Sequence, residues 1–212
     1  MKTTFENIKR DYFSGGHKML DRKIGQFHYL PFEEAIRYSA GRRPGYKGKP
    51  RKGGLFSLHQ NRIYNLVFDE MEKNLSLRAL DFYGCHNFEE VLKIIYESRI
   101  SGFADLCCYE TAQRICVNLE IDLNTDKIYV HRGSYRGAKK LGIKIHSGPL
   151  GTYIERNDIP VEWKKLQSQY IEDFLCTYEH VFSTDGFIPK YFRSSIKNLE
   201  CCSNKKEEIK SC

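Results

Sequence analysis

Apolar residues recur three and four positions apart in one stretch after another, and this spacing constrains the fold more than any other feature of the chain. Ile63, Leu66, Val67 and Met71 form one helical stripe within 57–73. Phe88, Val91, Leu92 and Ile95 form the next, after Asn87, which reads as an N-cap with Glu90 in the capping-box position. Tyr109, Ala112, Ile115, Cys116 and Leu119 form a third, within 106–119. Leu166, Tyr170, Ile171, Phe174, Leu175 and Tyr178 line a helix expected from Asp158 and Pro160 to about 182, with a break near Gln167. Shorter helices are predicted over 32–40, ended by Gly41, and over 76–82.

β signals are few. Ile128-Tyr129-Val130 favours a strand, and extended pieces are expected around Gly148 and Gly151. The expected fold is therefore mainly α: a single compact helical domain with a minor β element, a short strand and turn near 128–133. Its expected limits are a helical core domain at 57–182, an N-terminal segment at 1–56 and a C-terminal segment at 183–212 with a frayed tail.

Charge is distributed unevenly. The formal net charge is +7, and Arg42, Arg43, Lys47, Lys49, Arg51 and Lys52 contribute six positive charges in a stretch without an acid. The remainder is close to neutral. Pro44, Gly45, Gly48, Pro50, Gly53 and Gly54 oppose regular structure over 42–54. A neutral body with one basic loop suggests a polyanionic partner; a solvated loop without a partner is the plainer reading. No run approaches 18 apolar residues and the N-terminus lacks a signal-peptide core, so a cytoplasmic protein with no membrane contact is expected. Eight cysteines without regular spacing are expected to be free thiols. With no CxxC pair, Walker A, GxGxxG, HExxH or GxSxG motif, no metal or cofactor is expected.

Residues 127–142, KIYVHRGSYRGAKKLG, join a strand to a helix through a glycine. Ser134 is a candidate cap and Gly142 a candidate terminator. Such a turn aims backbone N–H groups and the positive end of a helix dipole at one spot, beside Arg132 and Arg136. The expected product is an anion-binding corner for phosphate, with Gly133 supplying positive φ or room for a ligand and His131 available as acid or base.

Three further constellations carry polar chemistry. His59 and Arg62 share a helix face after the basic loop. Tyr109, Glu110 and Arg114 lie on one helix, with Glu110 a candidate general base and Arg114 an anion clamp; an ordinary i,i+4 salt bridge explains the same pair. Asp173, Cys176 and His180 share a face, while the neighbouring carboxylates Glu172 and Asp173 diverge by about 100°. A buried structural cysteine is the plainer reading there.

Together these segments resemble a group of small uncharacterised prokaryotic proteins with HQxRI, YDTAxRI, VYLHAGT followed by GA, and EIEDxLC segments. The matching stretches here are HQNRI at 59–63, YETAQRI at 109–115, IYVHRGS at 128–134 with Gly137-Ala138, and YIEDFLC at 170–176. Glu110 stands for Asp, Arg132 for Ala and Ser134 for Thr. The resemblance spans about 57–180, implies one domain and brings no established activity.

The leading functional expectation is a nucleic-acid-acting protein, on DNA more than RNA, with a DNA glycosylase- or lyase-like enzyme as its sharpest form. The basic loop would track the backbone, Arg132 and Arg136 would hold a phosphate, and Glu110 or Asp173 would serve as acid or base. Tyr109 and Tyr129 are candidate platforms for a base. The alternatives are an enzyme for a small phosphorylated metabolite or nucleotide and a non-catalytic nucleic-acid-binding module.

Overall fold

A computed structural model describes residues 10–41 and 65–182. The architecture is mainly helical, with a three-stranded antiparallel sheet. A π-helical turn at Tyr12–Gly16 leads into α1 (Lys18–Gly25), a 3-10 turn at Gln26–Tyr29 and α2 (Phe32–Ser39). The described chain resumes with α3 (Asn65–Leu77), α4 (Ala79–Phe82), α5 (Phe88–Glu97) and α6 (Asp105–Asn118). Then come β1 (Lys127–Tyr129), α7 (Arg132–Lys140), the hairpin β2 (His146–Gly148) and β3 (Gly151–Glu155), and α8 (Ser168–Thr177). Among the described residues no helix is long and apolar enough to cross a membrane.

Local chemistry explains most of the boundaries. Asn87 Oδ1 accepts from the Glu90 N–H at 3.0 Å, and the Glu90 carboxylate accepts from the His86 N–H at 2.7 Å. Gly142, at φ +70°, closes α7: its N–H reaches the Lys139 carbonyl, while Ile143 N–H reaches Ala138, the paired bonds of a Schellman end. The same pattern ends α6 on Glu120, a non-glycine at φ +58°. The helix expected from Asp158 to 182 is instead two 3-10 turns, Arg156–Asp158 and Val161–Trp163, followed by α8 beginning after Gln167. Arg156 organises that break, donating to the carbonyls of Thr125, Lys164 and Leu166.

Strand β1 separates two cores. The sheet order is β1-β3-β2, with Ile128 opposite Ile154 and Tyr129 opposite Tyr153. Successive strand residues face opposite sides. Tyr129 therefore joins Phe88, Tyr109, Ile115 and the α3, α5 and α6 core, while Ile128 and Val130 join Trp163, Phe174 and Leu175 beneath α7 and α8.

The expected core limits of 57–182 exclude residues that fill both cores. Ile36 and Ala40 lie in the first and Tyr12 in the second. Three tyrosine–aspartate bonds tie the first helices to α8 and its end: Tyr12 to Asp173 (2.7 Å), Tyr170 to Asp21 (2.7 Å) and Tyr178 to Asp11 (2.9 Å). Residues 10–41 are thus part of the packed body.

Candidate functional site

His131 is the N-cap of α7, which begins at Arg132, two residues before the expected cap. The His131 N–H donates to Ser134 Oγ at 2.8 Å, and the His131 ring faces the Ser134 N–H in the reciprocal position. Ser134 is therefore the third helical residue of a capping box. Its own hydroxyl donates to Glu172 Oε1 at 2.7 Å. Both groups are buried. The anion at this helix start is thus the chain's own Glu172, which takes the favourable position the dipole offers.

Gly133 and Gly137 lie inside α7 and face α8. Neither has positive φ. A Cβ on Gly133 would meet Cys176 Sγ at 2.4 Å, and one on Gly137 would meet the Leu175 carbonyl oxygen at 2.3 Å. These glycines let two backbones approach, so the expectation that Gly133 provides positive φ or ligand space is corrected.

Arg136 points to the same helix contact. Its guanidinium makes two hydrogen bonds of 2.5 Å to Glu179, whose side chain is only 3% exposed. Arg136, expected to hold a phosphate, is here committed to a buried carboxylate. Burial alone would raise the Glu179 carboxyl. The Arg136 hydrogen bonds and the nearby Arg136, His180 and Lys140 charges outweigh burial and hold it below the usual range. Arg132 is exposed and, among the described residues, has no side-chain partner.

The α6 residues meet this region from the opposite side of β1. The Tyr109 ring lies 4.9 Å from the His131 ring and 5.5 Å from Phe88. Burial raises the Tyr109 phenol, followed by the Glu172 charge; Asp173 and Glu110 add to the rise. Burial also pushes His131 down to about 4, against the opposing charges of Asp105 and Glu110. The imidazole is therefore neutral at pH 7. Nε2 is buried and has no hydrogen-bond partner among the described residues.

Arg114 does not reach this centre as an anion clamp. It is 3% exposed, donates to the Ser39 carbonyl at 2.9 Å and lies over the Phe27 ring. Thr111 donates to the same carbonyl at 3.3 Å. These bonds hold the end of α2 against the middle of α6, about one turn from Glu110. The basic segment begins immediately beyond, after Gly41. Asp173 accepts from Tyr12, and Cys176 is an exposed residue rather than the expected buried one; its sulfur sits against Gly133, and this local desolvation, then the Glu172 charge, pushes the thiol up to about 12. His180 lies past the end of α8, 3.0 Å from Glu179.

Three of the four constellations thus meet around the start of α7: Tyr109 from α6, His131 and Ser134 from α7, and Glu172 and Asp173 from α8. His59 and Arg62, like Arg42, Arg43, Lys47, Lys49, Arg51 and Lys52, lie outside the described residues. Glu172 and Tyr12 were missed as members of the centre. The divergence of Glu172 from Asp173 was the usable signal, because it sends one carboxylate to Ser134 and the other to Tyr12. The five described cysteines are free. Comparison with family models, curated proteins and solved structures finds no match.

Proposed function

We propose that this protein acts on nucleic acid, DNA more than RNA, through the basic segment and the polar centre at the start of α7. One observation supports the reading above the others. The end of α2, where the six-cation segment begins, is held by Thr111 and Arg114 on the helix that carries Tyr109 and Glu110. A polyanion held where the chain passes Gly41 would lie close to α6. In this reading Arg132 adds a phosphate contact, while Arg136 and Glu172 keep their structural partners. His131 supplies a neutral imidazole, and Glu110 is the candidate base, in a glycosylase- or lyase-like reaction. Kinship with the prokaryotic family described above belongs to the same proposal.

The test is binding of single- and double-stranded DNA and RNA across a salt series. Six cations displacing counterions give a log–log slope approaching about −4 to −5, reduced for each cation that misses a phosphate. Deletion of 42–54 should abolish binding. A flat salt dependence, or no binding at low salt, removes the nucleic-acid reading.

The buried Nε2 of His131, which has no hydrogen-bond partner among the described residues, favours a second reading, an enzyme for a small phosphorylated metabolite or nucleotide. That enzyme would keep its turnover when 42–54 is deleted. Substitution of Glu110 separates both enzymes from a non-catalytic module, which would keep its affinity.

A further inference from the structure

His146, Glu155 and Asp158 stand apart from the centre just described. The hairpin brings them together by simple register. His146 on β2 is opposite Tyr153 on β3, and Glu155 lies two residues beyond Tyr153 on the same face. His146 and Glu155 are therefore diagonal neighbours across the strands. The 3-10 turn Arg156–Asp158 then returns Asp158 toward them. One ligand atom from each residue lies within 4.8 Å of the other two. His146 Nε2 is 2.8 Å from Asp158 Oδ2.

Three features distinguish this group from chance surface acidity. The His146 ring is stacked on Tyr153, with centroids 5.4 Å apart and 16° between planes, so its orientation is set. His146 and Asp158 remain reachable, with side chains 20% and 28% exposed. The two carboxylates have no lysine or arginine partner among the described residues, because nearby cations are used elsewhere. Arg156 turns away to Thr125, Lys164 and Leu166, and Lys127 bonds Glu89 at 3.0 Å. An imidazole and two carboxylates thus stand together on a preformed hairpin, with no lysine or arginine bonded to either carboxylate among the described residues.

We infer that His146, Glu155 and Asp158 form a binding site for a divalent first-row metal ion, with zinc the best match. One imidazole nitrogen and two carboxylate oxygens are ordinary zinc donors at about 2.0–2.2 Å. The present spacing needs only side-chain rotation to converge on one ion, and water completes the tetrahedron. The His146 proton moves to Nδ1, leaving the Nε2 lone pair for the metal. A nitrogen donor disfavours calcium and magnesium, which prefer oxygen. No sequence motif marks this site, because its ligands are gathered by strand pairing rather than by fixed spacing.

The chain has eight cysteines, so the test must separate thiolate binding from this site. The full chain is treated with N-ethylmaleimide under native conditions. Zinc binding is then measured by titration calorimetry, with imidazole nitrogen NMR to identify the histidine that responds. The expected result is one zinc per chain and a His146 shift on binding. His146→Ala and Asp158→Asn should each weaken binding at least tenfold, while Glu70→Gln on α3 leaves it unchanged. If His146→Ala fails to fold, Glu155→Gln carries the same expectation. No zinc uptake by the blocked chain, uptake without a His146 shift, or equal affinity in the ligand variants would overturn the site.

Discussion

Ser134 and Glu172 share a 2.7 Å hydrogen bond between α7 and α8, and that bond places a buried carboxylate at the start of α7. Ser134 also accepts from the His131 N–H. Ser134→Ala would remove a cap and a partner of a buried carboxylate together. The expected loss is about 2 kcal/mol, more than the ~1 kcal/mol typical of an exposed cap. Urea denaturation at neutral pH checks it. A loss within experimental error would show that Glu172 does not depend on Ser134.

The two glycines of α7 should respond differently to alanine. Alanine normally favours an exposed helix over glycine by about 1 kcal/mol. Here both substitutions should destabilise, by about 1–3 kcal/mol, because the added Cβ enters α8. Cys176→Ala should rescue Gly133→Ala, since the closest contact is the Cys176 sulfur. It should not rescue Gly137→Ala, whose obstacle is the Leu175 backbone. Denaturation midpoints of the four variants decide the matter, and equal rescue of both would contradict the packing described.

Arg136→Ala should lower stability rather than only ligand binding. The arginine is half exposed, so solvent screens part of its attraction, and the expected loss is about 1–3 kcal/mol. The pH dependence has a defined sign. Glu179 is held below its ordinary value in the folded chain, so its contribution is present above the unfolded carboxyl range and lost as pH falls through the folded value. The difference between wild type and Arg136→Ala should therefore be large at pH 7 and shrink in acid. A pH-independent difference would argue against the ion pair as its source.

His131 works in the opposite chemical direction with the same pH slope. Its folded value near 4 lies below the ordinary 6.5, so between these values the unfolded chain binds a proton that the folded chain refuses. Stability is full above about pH 6.5 and falls as pH approaches 4, by on the order of 3 kcal/mol if the whole shift is realised. Imidazole NMR should show one histidine still neutral at pH 5, and His131→Gln should flatten this limb of the stability profile. Titration of His131 near 6.5 would remove the assignment of a buried neutral ring.

Much of the architecture was legible in local chemistry. The stripe of Val91, Leu92 and Ile95, the Asn87 cap and the Gly142 terminator act within one or two turns of chain, so residues close in sequence determine them. The mainly helical fold and its small β element follow from the same short-range periodicity.

What each polar residue does depended on partners far along the chain. Ser134 and Glu172 are 38 positions apart, Arg136 and Glu179 43, and Tyr12 and Asp173 161. Gly133 looked like a turn residue because sequence shows the missing side chain but not the helix that fills its place. Tertiary structure alone decided that Arg136 holds a buried glutamate, that Arg114 braces α2, and that His131 is neutral. Hydrogen bonding and desolvation act through space, so no local pattern of residues encodes them.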